Sequence, residues 1–198
     1  MTLRQRIRAE LSGPALPFIA FGIALNLTIG QIVAILKIPL YLDSIGTVLV
    51  AVLIGPYAGI IAGSFANIMA AAVGNPTMMF FVPVVIVIGA FTGIIASAGW
   101  FKRWYLCVVG GIFQGILAAI VSAPISAYLF GGTTMSGMDA LVYYFRSTGH
   151  NILTSVVYQG LSSDPIDKTV SYLLVFFVLK NLPLRLVSKF RGAANVAH

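Results

Sequence analysis

The sequence predicts an all-α polytopic membrane protein with six transmembrane helices and an extra broken helix between the fifth and sixth spans. Three observations carry this. Of 198 residues, 59% are hydrophobic and 9% are charged, whereas a soluble globule carries about 25% charged residues. The apolar residues fall in long runs of about 20, the length that crosses a bilayer as a helix. No alternation of period two accompanies them, which argues against the β-barrel, the other architecture that satisfies its backbone within lipid. The chain reads as a single integral membrane domain, 1–198, with a basic N-terminus (1–13) and a tail (184–198).

Arg4, Arg6 and Arg8 precede the first apolar run and superficially resemble a signal peptide, but the run is too long and lacks a small-residue cleavage site. Segment one covers about 17–36 and carries Asn26, Thr28 and Gln31 in its middle and outer half. Lower down, Ala20 and Ala24 form a small-xxx-small pattern, which lets another helix approach closely in lipid. Pro39 lacks a backbone donor and biases its predecessor away from the α region, so this helix is expected to stop near Leu36 and the chain to restart near Ser44. The intervening turn holds Lys37, Tyr41 and Asp43, and no ionisable side chain of Asp, Glu, Lys or Arg follows Asp43 until Lys102. Tyr41 and Asp43 are candidate ligand contacts at a mouth formed here. The alternative is a turn with an aromatic anchor and Asp43 as N-cap of the next helix.

Segment two, about 44–54, reaches only about 17 Å at 1.5 Å per residue. It must therefore tilt, extend into its flanks or pair with segment three. Segment three, about 58–73, is rich in glycine and alanine and carries Asn67, the composition of a close-packed interior helix. Gly74-Asn75-Pro76-Thr77 breaks the chain, and segment four follows from about 78 to 100. Segment five, about 105–130, carries Gln114, Ser122, Ser126 and Tyr128, with a kink expected at Pro124.

A long connection, 131–163, comes next. Ser136 and Asp139 fit a capping box in its Asp variant, and Met138, Leu141, Val142 and Phe145 recur at helical spacing. Gly149-His150-Asn151 interrupts that period and Ile152, Leu153, Val156 and Val157 resume it. Residues 137–160 thus read as one broken helix or two short ones, lying in the interface or dipping into the protein. The last span is expected to start with Asp164 at N-cap and Pro165 at the first helical position, and to stop near Pro183.

Six spans put both termini on one side, together with Arg4, Arg6, Arg8, Lys102, Arg103, Lys180, Arg185, Lys189 and Arg191, nine of the twelve positive residues. The positive-inside rule makes that side cytoplasmic and the protein a multi-pass one of the cell membrane. The 37–43 turn, the 74–77 turn and the 131–163 connection then converge on the outer face.

Enzyme chemistry is not legible. Metalloprotease, nucleophile-elbow and phosphate-loop motifs are missing, and His150 is the one histidine before the terminal His198, so neither a metal nor a cofactor is expected. Cys107, the single cysteine, forms no internal disulfide and reads as a small packed hydrophobe. No Asp, Glu, Lys or Arg falls at mid-bilayer in these boundaries. Polar residues gather instead in the outer halves and the connection: Gln31, Asn67, Asn75, Tyr143, His150, Asn151 and Gln159 with Ser126, Tyr128 and Tyr158. Amides, hydroxyls and aromatics of this kind suit an uncharged or mildly polar small ligand with a ring. For each residue alone, interhelical hydrogen bonding or turn formation is the competing role.

Tyr41-Leu-Asp-Ser-Ile-Gly-Thr47, Leu-Ile-Gly-Pro56-Tyr-Ala-Gly59, Asn75-Pro76 and Asp164-Pro-Ile-Asp-Lys168, on six short spans without an energy motif, resemble the substrate-binding S components of energy-coupling factor (ECF) transporters. The resemblance covers nearly the whole chain; the long last connection departs from the commonest members. It implies that Ala20 and Ala24 pack on a membrane scaffold subunit attached to two ATPases. It also implies that 37–43, 74–79 and 131–163 enclose a vitamin or similar micronutrient. A membrane sensor, which would normally continue into a soluble signalling domain, and a self-sufficient small facilitator, which would give flux alone, remain open.

Overall fold

A computed structural model describes residues 3–196 of the chain, so the first two and last two positions of the basic terminus and the tail lie outside the described residues. The described residues are helical with no strand. Nine α-helices run in order: α1 (Leu3–Glu10), α2 (Ala15–Ile35), α3 (Ile45–Leu53), α4 (Pro56–Val73), α5 (Val82–Ser97), α6 (Trp104–Phe130), α7 (Asp139–Ser147), α8 (Ile152–Asn181) and α9 (Leu184–Val187). Short 3-10 turns occupy Pro76–Phe81, Trp100–Lys102 and Arg191–Asn195.

Four stretches are long and apolar enough to cross a membrane: Ala15–Ile35, Pro56–Val73, Pro76–Ser97 and Trp104–Phe130. They present large apolar side chains outward, among them Phe21, Ile32, Phe65, Ile94, Phe113 and Ile120. In water such a surface would drive aggregation; in lipid it is the expected boundary. Segment two becomes α3, every residue of which is buried. Its length, about 13 Å at 1.5 Å per residue, makes it an interior strut rather than a lipid-facing helix.

Close approach organises the interior. A Cβ placed on Gly46 would stand 2.0 Å from the Gly22 carbonyl oxygen, so only glycine lets α2 and the start of α3 cross here. On the other side, Gly111 and Gly115 of α6 admit the backbone of Thr169 and Pro165 on α8, with would-be Cβ distances of 2.4 and 2.3 Å. The apolar centre runs through Val48, Val50, Leu53, Ile88, Phe101, Tyr172, Val175 and Leu179. Cys107 is buried there as expected. A smaller cluster, Ala123, Ala127, Val142 and Val156, holds α7 against α6 and α8.

Two expectations are corrected. Asp164 and Pro165 do not begin a helix; they sit inside α8, which runs unbroken for 30 residues. Packing of Pro165 against Gly115 carries the helix through the proline, the usual reason an interior proline is tolerated. The interruption at 149–151 is real, but the helix resuming at Ile152 is the beginning of this same long helix, and the broken helix reduces to α7 alone. Asp164, Asp167 and Lys168 of α8 are all buried. Segment five runs helical through Pro124, and the Ser136–Asp139 pair works in reverse, with Asp139 reaching back to accept from Thr134 N–H at 3.0 Å and from Ser136 Oγ at 3.3 Å.

Candidate functional site

At the end of the bundle that holds the 36–44 turn, two adjoining chambers of about 80 and 70 Å³ share Tyr41, Asp43, Asn67 and Met78 in their walls. α2 contributes Asn26 and Gln31 to the first chamber; the 74–78 turn adds Asn75, and the 135–137 segment covers it. The second chamber lies deeper, between Phe81, Val84 and Ile88 on one side and Ser126, Gln159, Asp164 and Lys168 on the other.

A buried charge cluster builds the floor. Lys168 Nζ donates to Asp167 Oδ2 at 2.6 Å and to Ser44 Oγ at 3.0 Å, and stands 3.5 Å from Asp43 Oδ1. An ammonium has three N–H donors; Asp167 and Ser44 take two of them, and Asp43 adds an ion pair without a hydrogen bond. Asp167 Oδ1 in turn accepts from the backbone N–H groups of Tyr41 and Leu42 at 2.9 and 2.8 Å. The mouth is therefore tied to α8 by its backbone. Tyr41 also places its ring 5.9 Å from Lys168 Nζ. Burial, then the neighbouring Asp164 carboxylate, pushes the Tyr41 phenol well above its ordinary value, with Ser136 pulling it back and Asp167 and Asp43 adding to the rise. The phenol stays neutral, a hydrogen-bond donor and acceptor at the cavity wall.

Asn26 fixes the other wall. Its Oδ1 accepts from Gly46 N–H at 2.6 Å and Thr47 N–H at 3.4 Å, while its Nδ2 donates to Thr47 Oγ1 at 2.8 Å. These bonds satisfy orphan donors at the start of α3 that the Ser44 side chain leaves without a cap. Asn67 Nδ2 donates to the Met78 carbonyl at 3.2 Å, and Asn75 Oδ1 accepts from Thr77 Oγ1. Lys37, Leu42 and Met135 all hold positive φ, at 49°, 47° and 61°. Non-glycine residues reach this region at a cost of about 1–3 kcal/mol each, and such strain gathers at binding sites and switch regions. All three lie around this mouth.

Of the residues singled out in the sequence, the fold brings Tyr41, Asp43, Asn67, Asn75 and Gln159 to one cavity. Tyr143, His150 and Asn151 stand elsewhere and are exposed: His150 packs edge-on to Tyr158, with centroids 5.1 Å apart, and Asn151 caps α8 by accepting from Thr154 N–H at 2.8 Å. Lys168 and Thr134 also line the cavity without having been singled out as ligand contacts, and Asp164, weighed chiefly as a helix cap, lines it too. Asp164-x-x-Asp167-Lys168 repeats on one helix face at i, i+3 and i+4, a signal hidden once the proline was taken as a helix start. Ala20 and Ala24 are exposed on α2, on a face that no other part of the described chain covers. Among the described residues no cluster could hold a metal ion.

No family model, no curated protein and no solved structure matches this chain.

Proposed function

We propose that the protein is the substrate-binding membrane subunit of an ATP-driven importer of the energy-coupling factor type, capturing a small vitamin-like molecule in the Tyr41–Asp164 cavity. The observation that carries this reading is a partly open cavity at one end of an apolar bundle, its mainly apolar walls set with amides, a phenol and carboxylates, flanked by two turns with strained residues and tethered by a buried carboxylate. A channel would need a path through the bundle. Here the Tyr172 hydroxyl, 2.7 Å from Thr92 Oγ1 and 3.4 Å from Gln114 Oε1, closes the centre together with Phe101. The absence of a nucleotide-binding motif assigns ATP hydrolysis to partner subunits.

In this reading α2, α3, α4, α5 with its preceding 3-10 turn, α6 and the second half of α8 are six crossings. α3 is shielded from lipid by its neighbours, both termini are cytoplasmic and the cavity opens outward. The exposed Ala20 and Ala24 then form the docking face for the scaffold subunit, since small side chains let helices approach closely in a bilayer. Asn67, lining both chambers, holds the ligand.

The test is uptake of whatever small molecules mass spectrometry finds co-purified with the protein, in vesicles holding scaffold and ATPase subunits. Ala20→Trp with Ala24→Trp is expected to abolish ATP-driven uptake and leave binding intact, whereas Asn67→Ala weakens binding about fivefold to a hundredfold, one buried hydrogen bond's worth. ATP-driven uptake unchanged in the double tryptophan variant would overturn the docking assignment, and flux from the protein alone would overturn the importer reading.

A further inference from the structure

Resting on the reading of this cavity as the ligand site, we infer that the ligand presents a protonated amine, or an equivalent positively charged N–H group, to Asp164. The charge balance of the walls points there. Three carboxylates, Asp43, Asp164 and Asp167, stand around one ammonium, Lys168. That ammonium is held by hydrogen bonds to Asp167 and Ser44 and by an ion pair with Asp43, so its charge is balanced within the protein before any ligand enters. Asp167 is engaged at both oxygens, with Oδ1 on two backbone N–H groups and Oδ2 on Lys168.

Asp164 differs from both. It is only 5% exposed, lines the deeper chamber, and among the described residues has no cation within salt-bridge distance. Its one hydrogen bond comes from Ser163 Oγ, which lies 3.3 Å from Oδ1 and directs the same hydroxyl proton to the Gln159 carbonyl at 2.9 Å. Among the described residues, none donates to Oδ2. A buried carboxylate with open acceptor positions is costly unless something donates to it, and the space that faces it is the chamber. Asp43 supplies a second open oxygen at the junction of the two chambers, since Lys168 approaches only its Oδ1. Phe81 and Tyr41 line the same chamber. A small aromatic or heteroaromatic cation fits the combination: carboxylate against the charged nitrogen, aromatic rings against its body.

The distinguishing experiment uses benzylamine, benzyl alcohol and benzoate, one size and ring with three charges, as probes of the purified protein by calorimetry and thermal unfolding. Benzylamine is expected to bind at least about tenfold more tightly than the other two, and Asp164→Asn to remove that preference, as loss of a charge-assisted hydrogen bond would. The variant's unfolding temperature without probe checks its fold; should Asp164→Asn not fold, Asp43→Asn, altering a side chain 26% exposed, is expected to weaken benzylamine in the same direction. Equal binding of the three probes, tightest binding of benzoate, binding of none, or a preference that survives in a folded Asp164→Asn variant each overturns the inference. Benzyl alcohol or benzoate binding that is lost in Asn67→Ala would leave the cavity as the ligand site and remove only the charge class. The uptake assay, which needs no probe, tests the parent reading separately.

Discussion

Removing the Lys168 ammonium strands Asp167, a carboxylate with no exposed surface, beside Asp164 and Asp43. Breaking a buried pair from one side costs about 3–5 kcal/mol, mostly through the uncompensated charge left behind. Lys168→Met is therefore expected to lower the unfolding temperature sharply, and the double variant Lys168→Met with Asp167→Asn to recover part of the loss. Thermal unfolding of the four-member cycle measures the coupling; additive losses would show that the pair is not a unit. The sequence made Tyr41 and Asp43 visible, because a polar turn between apolar runs has few other uses. It hid Lys168 and Asp167 for a physical reason. Asp-Pro is such a strong helix-start signal that these side chains read as a solvated first turn, and only the packing of Gly115 against Pro165 overrides it.

At the scale of elements, that same contact sets a second expectation. A methyl group on Gly115 would meet the Pro165 backbone at 2.3 Å, so Gly115→Ala must push α6 and α8 apart along their whole interface, costing about 1–3 kcal/mol. Gly30→Ala, where the nearest atom, Asp43 Cβ, is 3.4 Å away in ordinary van der Waals contact, is the control for crowding; equal losses in the two variants would refute close packing as the cause. The opposite end of the bundle offers a pH-dependent counterpart. Glu10 closes α1 and accepts from the Tyr57 and Ala58 N–H groups at 2.9 and 3.1 Å, capping α4. Burial raises its carboxyl above the ordinary 4.5, although those amides and the charges of Arg191 and Arg6 oppose the rise. A carboxyl raised in the folded state contributes stability while protonated, and that contribution fades as pH climbs from 4.5 through the folded value. Glu10→Gln keeps an acceptor for the amides without the charge. It is expected to flatten the fall in unfolding temperature over that window, and an unchanged slope would assign the fall to other groups. The α1 cap was not legible beforehand: three arginines in the first eight residues drew attention to charge, and nothing in the local pattern marks Glu10 as the partner of a helix 47 positions away.

For the whole molecule, helix content and lipid-facing composition were legible because both follow from local patterns, the length of apolar runs and the scarcity of charge. Which polar residues share one cavity was less so, since that depends on how helices distant in sequence are brought together. Asn67 and Gln159 meet there, while Tyr143 and His150, equally promising by residue type, are left on the outside. The cover over the first chamber also narrows to 132–138, where Thr134 is bound by Asp139 and its carbonyl lies 3.5 Å from Thr77 Oγ1. Amide hydrogen exchange is expected to slow across 131–138 and 36–44 when the co-purified molecule is added back, with α7 little changed because Val142 already anchors it to Val156. Protection gained in α7 alone would place the moving part there instead.

The tether from Asp167 to the Tyr41 and Leu42 amides has a consequence during synthesis. Its partners are separated by 126 and 125 positions, and a ribosome adding about 5–20 residues per second needs roughly 6 to 25 seconds between making one and making the other. Throughout that interval α2 to α6 can pack, yet the turn above them has no anchor and Asp43 no cation. A nascent chain halted before Asp167 would therefore carry an assembled bundle with an unlatched mouth, and arrival of the last helix both fastens the turn and delivers the charge that completes the floor.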